Sequence, residues 1–180
     1  MRGSGFTEAE AEEKAAAREA RFDRLFRQYR QPIARYLFRL VDDPEQVEEL
    51  AQEVFLKAYR ALETLPEGAN ERAWLYRIAT NTAYDALRRR RLVQWLPLGR
   101  RHRGTADPQR LEERIAERDA VQSALARLAP LYRVPLLLYA VEGLSVKEIA
   151  DVLQVTPNTV KVRIFRARQM FQEAYEEGNR

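Results

Sequence analysis

Cysteine is absent from this chain, and histidine occurs once, at His102. The first absence excludes disulfides, thiolate metal sites and cysteine nucleophiles, and the second leaves no histidine cluster for a metal or a triad. Glycine (7) and proline (8) are also scarce, so no glycine-rich loop is available to cradle a phosphate. No apolar run is long enough for a bilayer, and the N-terminus lacks a signal-peptide pattern. The expectation is a cytoplasmic, non-enzymatic protein with no cofactor, no metal and no membrane insertion of its own. What is abundant is Ala, Leu, Glu, Arg and Gln, without sustained β-branched alternation, which predicts an all-α chain.

The chain has 31 basic and 27 acidic side chains, a net charge of +4 and a pI near 9.5. Residues 1–21 predict a solvated helical leader, rich in Ala and Glu with little to bury. A packed body follows over 22–92. Residues 93–113 collect Pro97, Gly99, Gly104 and Pro108 around a basic cluster and read as a flexible linker. Helical pattern returns over 114–177, giving two small helical domains, each near the lower size for independent stability.

In the second domain, Gly143 can end a helix, and Ser145 with Glu148 forms a capping box that starts the next. Val146, Ile149, Ala150 and Leu153 then share one face. Thr156 and Pro157 suit an N-cap and first helical position, so another helix begins only a few residues later, and the pair predicts a helix-turn-helix. Within "VKVRIFRAR", Val160, Ile164, Ala167 and Phe171 cluster on one side. Asn158, Val162, Phe165, Arg166 and Gln169 face the other, flanked by Lys161, Arg163 and Arg168. Arginine and asparagine can read base edges in a major groove, apolar side chains can meet thymine methyls, and flanking cations can hold phosphates. The alternatives are a partner helix packed on the same face and a basic face that is merely solvated.

The first domain holds two amphipathic helices of opposite charge. Asp43, Pro44 and Gln46 fit an N-cap, a first helical residue and a reciprocal cap. Val47, Leu50, Ala51, Val54, Phe55, Ala58 and Leu62 form the core side of the helix that follows. Residues 42–53 contain six acids and no base, and Leu56 stands amid that charge. Such a face repels DNA and suits a basic protein, or it simply solubilises the helix. Between Ala73 and Leu92, Leu75, Ile78, Ala79, Thr82 and Ala86 form a core face, while Arg77, Asn81, Tyr84, Arg88 and Arg91 share the outer one. A stacking tyrosine, an asparagine and several arginines suit exposed bases. Trp74 packs more naturally in the core than on a base.

The stretches "EELAQEVFLKAYRAL", "AWLYRIATNTAYDALRRRR" and "EGLSVKEIADVLQVTPNTVKVRIFRAR", in this order, resemble bacterial sigma factors of the extracytoplasmic-function group, within the sigma-70 superfamily. The resemblance covers about Phe22 to Phe171. It implies a factor that binds core RNA polymerase, recognises promoter DNA and helps open it, with sigma region 2 and region 4 as the two domains. It further implies that Glu49, Gln52, Glu53 and Leu56 dock on the polymerase clamp helices. Arg77, Asn81, Tyr84, Asp85 and Arg88 would face the minus-10 element, with "LPEGANE" as the loop that captures a flipped base. Asn158, Thr159, Lys161, Val162, Arg163, Phe165 and Arg166 would bind the minus-35 element. Arg100, Arg101 and Arg103 would lie near template strand or RNA, and a separate anti-sigma factor is expected.

Three positions depart from the family pattern. Glu49 replaces a more usual aspartate and keeps the charge. Gln154 stands at a turn position that is usually glycine, so either it is left-handed or the turn differs. Val162 replaces a common serine, which alters the expected minus-35 preference. The competing readings are a stand-alone helix-turn-helix regulator with a ligand-binding or dimerisation domain, and an adaptor that scaffolds the polymerase. The first needs neither the acidic helix nor the arginine helix, and the second needs no basic recognition helix.

Overall fold

The computed structural model describes residues 8–93 and 110–178, and side chains within 9–90 and 117–178. Arg100, Arg101 and Arg103 of the expected linker lie outside the described residues, as does the side chain of Arg91.

Helix α1 runs from Glu8 to Val41, so the leader and the packed body form one helix. Leu25, Ile33, Tyr36, Leu37 and Leu40 recur at helical spacing and are all essentially buried. The expected solvated leader is mostly exposed, with a correction at Arg18, whose guanidinium reaches Glu63 and lies over the Tyr59 ring. Arg21 and Arg24 bind Glu71 from the same helix, at 2.7 and 2.9 Å. Asp42, left-handed at φ 54°, ends α1 and lets the chain reverse.

Helix α2 (Pro44–Ala61) begins as expected, with the Gln46 backbone N–H donating to Asp43 at 3.2 Å. The reciprocal cap is not made: Gln46 Oε1 is buried without a hydrogen-bond partner. A side chain whose oxygen is drawn inward cannot also fold back over the N-terminus of its own helix. A single 3₁₀ turn, Leu62–Thr64, and the loop 65–70 lead to α3 (Glu71–Val93). Asn70 Oδ1 caps α3 by accepting from the Ala73 N–H at 3.0 Å. Across the bundle, buried Tyr36 and Thr80 share a hydroxyl hydrogen bond of 2.8 Å.

Helices α4 (Arg110–Arg127), α5 (Pro130–Ala140), α6 (Val146–Leu153) and α7 (Pro157–Gly178) form the second bundle. Ser145 and Glu148 make both bonds of the capping box, at 3.2 and 2.7 Å. Gly143 takes φ +65°, and Gln154 is left-handed at φ 54° and ψ 47°, which resolves the turn question: the geometry is kept and the missing glycine is replaced by a strained glutamine. The Thr159 N–H donates to Thr156 Oγ1 at 3.2 Å, capping α7. No strand occurs among the described residues. The two bundles share one continuous core, because Leu136, Leu137, Leu144 and Ile149 of the second cluster with Leu40, Tyr76 and Ala83 of the first.

Candidate functional site

Three surfaces carry the side chains singled out by sequence. On α2, Val47, Leu50, Val54, Phe55 and Ala58 are buried, which turns Glu45, Glu48, Glu49 and Gln52 outward. Leu56 is 49% exposed beside them, as an apolar centre in an acidic rim. Glu53 stands apart. Its carboxylate pairs with Lys57 at 2.7 Å and lies 3.9 Å from Arg89 of α3, so part of its charge is already neutralised. An aromatic cluster continues the surface toward α1, with Phe26 and Phe55 edge to face at 4.9 Å and Phe22 and Tyr59 at 5.0 Å. Phe26 and Tyr59 are each 38% exposed, an apolar extension that the α2 pattern alone did not reveal.

On α3, Leu75, Ala79, Thr82 and Ala86 are buried as expected, and Ile78 and Trp74 pack partly against the core. Arg77, Asn81 and Arg88 are exposed along one stripe. Asp85 pairs with Arg88 at 2.9 Å, which fixes the guanidinium on that stripe. Tyr84 is only partly exposed: its hydroxyl lies 3.4 Å from the Pro130 carbonyl of α5, and burial raises its pKa while the nearby Arg163 charge opposes the shift.

On α7, Val160, Ile164 and Ala167 are buried and Phe171 is partly so, leaving Asn158, Lys161, Val162, Phe165, Arg166 and Gln169 outward. Phe165 is 63% exposed and Val162 43%. A phenylalanine held on solvent costs hydrophobic free energy, on the order of 1 to 2 kcal/mol, that only a partner can recover. Two members of the expected set differ from the rest. Thr159 spends its hydroxyl on Thr156 at 2.9 Å, within the helix cap. Arg163 is half-buried, and its charge acts on Tyr84 of the other bundle. No group of acidic or histidine side chains able to hold a metal occurs among the described residues.

Sequence reasoning missed Arg133. This buried guanidinium donates to the Leu40 carbonyl at 2.9 Å, the Ala126 carbonyl at 2.6 Å and the Leu128 carbonyl at 2.8 Å. It therefore meets the negative C-terminal ends of α1 and α4 together. Burial lowers its pKa, opposed by the charge of Asp42. The available signal was a lone arginine entering the apolar run "RVPLLLYA".

Two family models match the chain, sigma-70 region 2 over residues 25–93 and sigma-70 region 4 over 118–171. The RNA polymerase sigma-H factor of Pseudomonas aeruginosa is 34% identical over 166 residues, covering 86% of each chain. The ECF RNA polymerase sigma-E factor of Escherichia coli is 31% identical, covering 82% of this chain and 83% of its own. The chain belongs to the extracytoplasmic-function sigma factors. Its fold is similar to that of the sigma factor RpoE of Bartonella quintana, solved with the anti-sigma factor NepR, at TM-score 0.69 and 24% identity over 86% of this chain and 96% of that one. It is similar also to CnrH, solved with the cytosolic domain of CnrY, at TM-score 0.68 and 24% identity over 88% and 90%. This sigma factor is a transcription initiation factor, and its α1–α3 and α4–α7 bundles contain the region 2 and region 4 matches. No described helix is long and apolar enough to cross a membrane.

Proposed function

We propose that this sigma factor divides its work among the three surfaces and performs no chemistry of its own. The acidic face of α2, with Glu49, Gln52, Glu53 and Leu56, docks on a basic helical surface of core RNA polymerase. Arg77, Asn81, Tyr84, Asp85 and Arg88 hold the unpaired minus-10 strand, and Asn158, Lys161, Val162, Phe165 and Arg166 enter the major groove at the minus-35 element. Thr159 and Arg163 contribute at the edge of that contact, through backbone position and phosphate charge.

The observation that carries the reading is the charge segregation between two exposed helix faces. An acidic stripe with an exposed leucine repels phosphate and attracts a basic protein, whereas a basic stripe with exposed Val162 and Phe165 does the reverse. The protein acts in the cytoplasm, and a separate anti-sigma factor holds it in reserve; the Bartonella quintana neighbour solved with an anti-sigma factor supports that expectation. A stand-alone regulator would leave the α2 face without a purpose.

The test is run-off transcription by sigma-free core polymerase on a library of genomic fragments, with and without the chain. Initiation at a defined subset of fragments sharing two sequence blocks is expected. The same products with and without the chain would overturn the proposal.

A further inference from the structure

The loop 65–70 joins the 3₁₀ turn to α3, and its tip is open. Pro66, Glu67 and Gly68 are exposed, the Ala69 N–H donates to the Pro66 carbonyl at 3.2 Å, and Gly68 is left-handed at φ +78° with open space around it. The two ends of the loop are held by α1. Arg21 donates from Nε to Glu71 at 2.7 Å and from Nη1 to the Leu65 carbonyl at 3.2 Å, so one guanidinium spans the loop from its first residue to the residue after its last. Arg24 donates to both oxygens of the Glu71 carboxylate, at 3.1 and 2.9 Å. Arg18 reaches Glu63 of the 3₁₀ turn that feeds the loop, and its guanidinium lies 4.4 Å from the centre of the Tyr59 ring.

These three arginines stand at three-residue intervals on α1, all before residue 25, where the region 2 match begins. The grip on the loop therefore comes from outside the matched segment. The Arg21 and Glu71 side chains are only 23% and 24% exposed, so water screens their attraction less than it screens a surface pair. Glu71 also lies in the first turn of α3, where the helix N-terminus favours a negative charge. We propose that the N-terminal arm of α1 is a brace for base capture, with Arg21 as the positioning residue that sets the spacing of the loop ends without touching DNA. A loop whose ends are already fixed loses less conformational freedom when a base enters it. The proposal rests on the minus-10 reading, extended to the loop at the start of the α3 stripe.

The test is the affinity of holoenzyme for a fluorescein-labelled single strand spanning the minus-10 element of a promoter that the chain activates. An abasic site moved along that strand locates the captured base, as the position where its loss weakens the wild-type holoenzyme most. Arg21→Gln should bind the intact strand about fivefold more weakly than wild type, and the strand abasic at the captured position no more weakly than wild type does. Glu71→Gln should behave alike, and the double variant should lose no more than the larger single loss, because both substitutions remove one brace. Core polymerase affinity and the thermal melt of each variant accompany the measurement. Where Arg21→Gln lowers the melting temperature, Arg24→Gln, whose side chain is 62% exposed, keeps the fold and should show a smaller loss, again confined to the intact strand.

A loss confined to the intact strand is a defect in base capture, which a general weakening of the fold does not produce. Equal losses on the intact and abasic strands, or no loss on the intact one, would overturn the brace while leaving the minus-10 reading intact. Equal binding of every abasic strand by the wild-type holoenzyme would remove base capture itself, and the brace with it.

Discussion

Helices α2 and α7 are built alike and present opposite surfaces. Each starts with a side-chain cap followed by proline, Asp43–Pro44 in one and Thr156–Pro157 in the other, and each buries one aliphatic stripe. Outward, α2 offers Glu45, Glu48, Glu49 and an exposed Leu56, while α7 offers Lys161, Arg166 and an exposed Phe165. Under the proposed function, the same folding device serves two recognition chemistries, with the sign of the rim charge selecting the partner around a similar apolar centre. Specificity resides in the few outward residues, which folding leaves unconstrained.

The largest break in that comparison comes from inverting the α2 rim. Glu49→Lys should weaken core polymerase binding by about 2 to 5 kcal/mol, since an interfacial charge pair turns repulsive. Affinity measured by fluorescence anisotropy, beside an unchanged thermal melt, checks this. Glu49 is a cleaner target than Glu53, whose replacement also releases Lys57 and Arg89.

Next comes the minus-10 face. Tyr84→Leu should lose roughly 1 to 3 kcal/mol of strand capture while Tyr84→Phe, which keeps the ring, loses little. Permanganate reactivity of unpaired thymines on a duplex promoter distinguishes them. Equal defects in both variants would assign Tyr84 to its hydroxyl contact with Pro130 instead.

On α7 the expected losses differ in kind. Arg166→Ala should cost about 1 to 3 kcal/mol only at promoters carrying its preferred base. Lys161→Ala should weaken all promoters alike and lower the magnitude of the salt slope by about 1. Holoenzyme binding to a panel of minus-35 variants at several salt concentrations separates the two.

The smallest effect concerns pH. Hydrogen bonds from the Ser145 side chain and backbone, then from Asn70, hold the Glu148 carboxyl below its ordinary value. A depressed folded pKa means that the stabilisation is present above the unfolded value and is lost as pH falls through the folded one. Stability should therefore decline on acidification below the usual carboxylate range, and Glu148→Gln should flatten that part of the curve. Chemical denaturation at a series of pH values measures the slope.

The capping residues and amphipathic stripes were legible because their causes are local. Asp43, Ser145 and Thr156 cap helices through neighbours three residues away, and the 3.6-residue period separates buried Val160, Ile164 and Ala167 from exposed Val162 and Phe165. What the sequence hid depends on tertiary contact. Gln46 has the spacing of a reciprocal cap, yet its oxygen is buried and unbonded. Arg18 sits in an apparently solvated leader but binds Glu63. Arg133, Asn70 and Tyr76 carry no periodic signature of docking, because their partners lie 93, 78 and 66 residues away. Arg163 falls on the edge of the α7 face, and its half-burial and its charge interaction with Tyr84 depend on the neighbouring bundle.

The measurement that bears most directly on the division of labour is site-specific photo-crosslinking in a promoter complex. A benzophenone residue replaces Gln52 on the α2 face in one sample and Gln169 on the α7 face in another; both positions are exposed and neither is paired in the core. Position 52 should form adducts with polymerase protein and none with DNA, while position 169 should label DNA near the minus-35 element. DNA adducts from position 52, or polymerase adducts alone from position 169, would contradict the assignment of the acidic face to protein and the basic face to promoter.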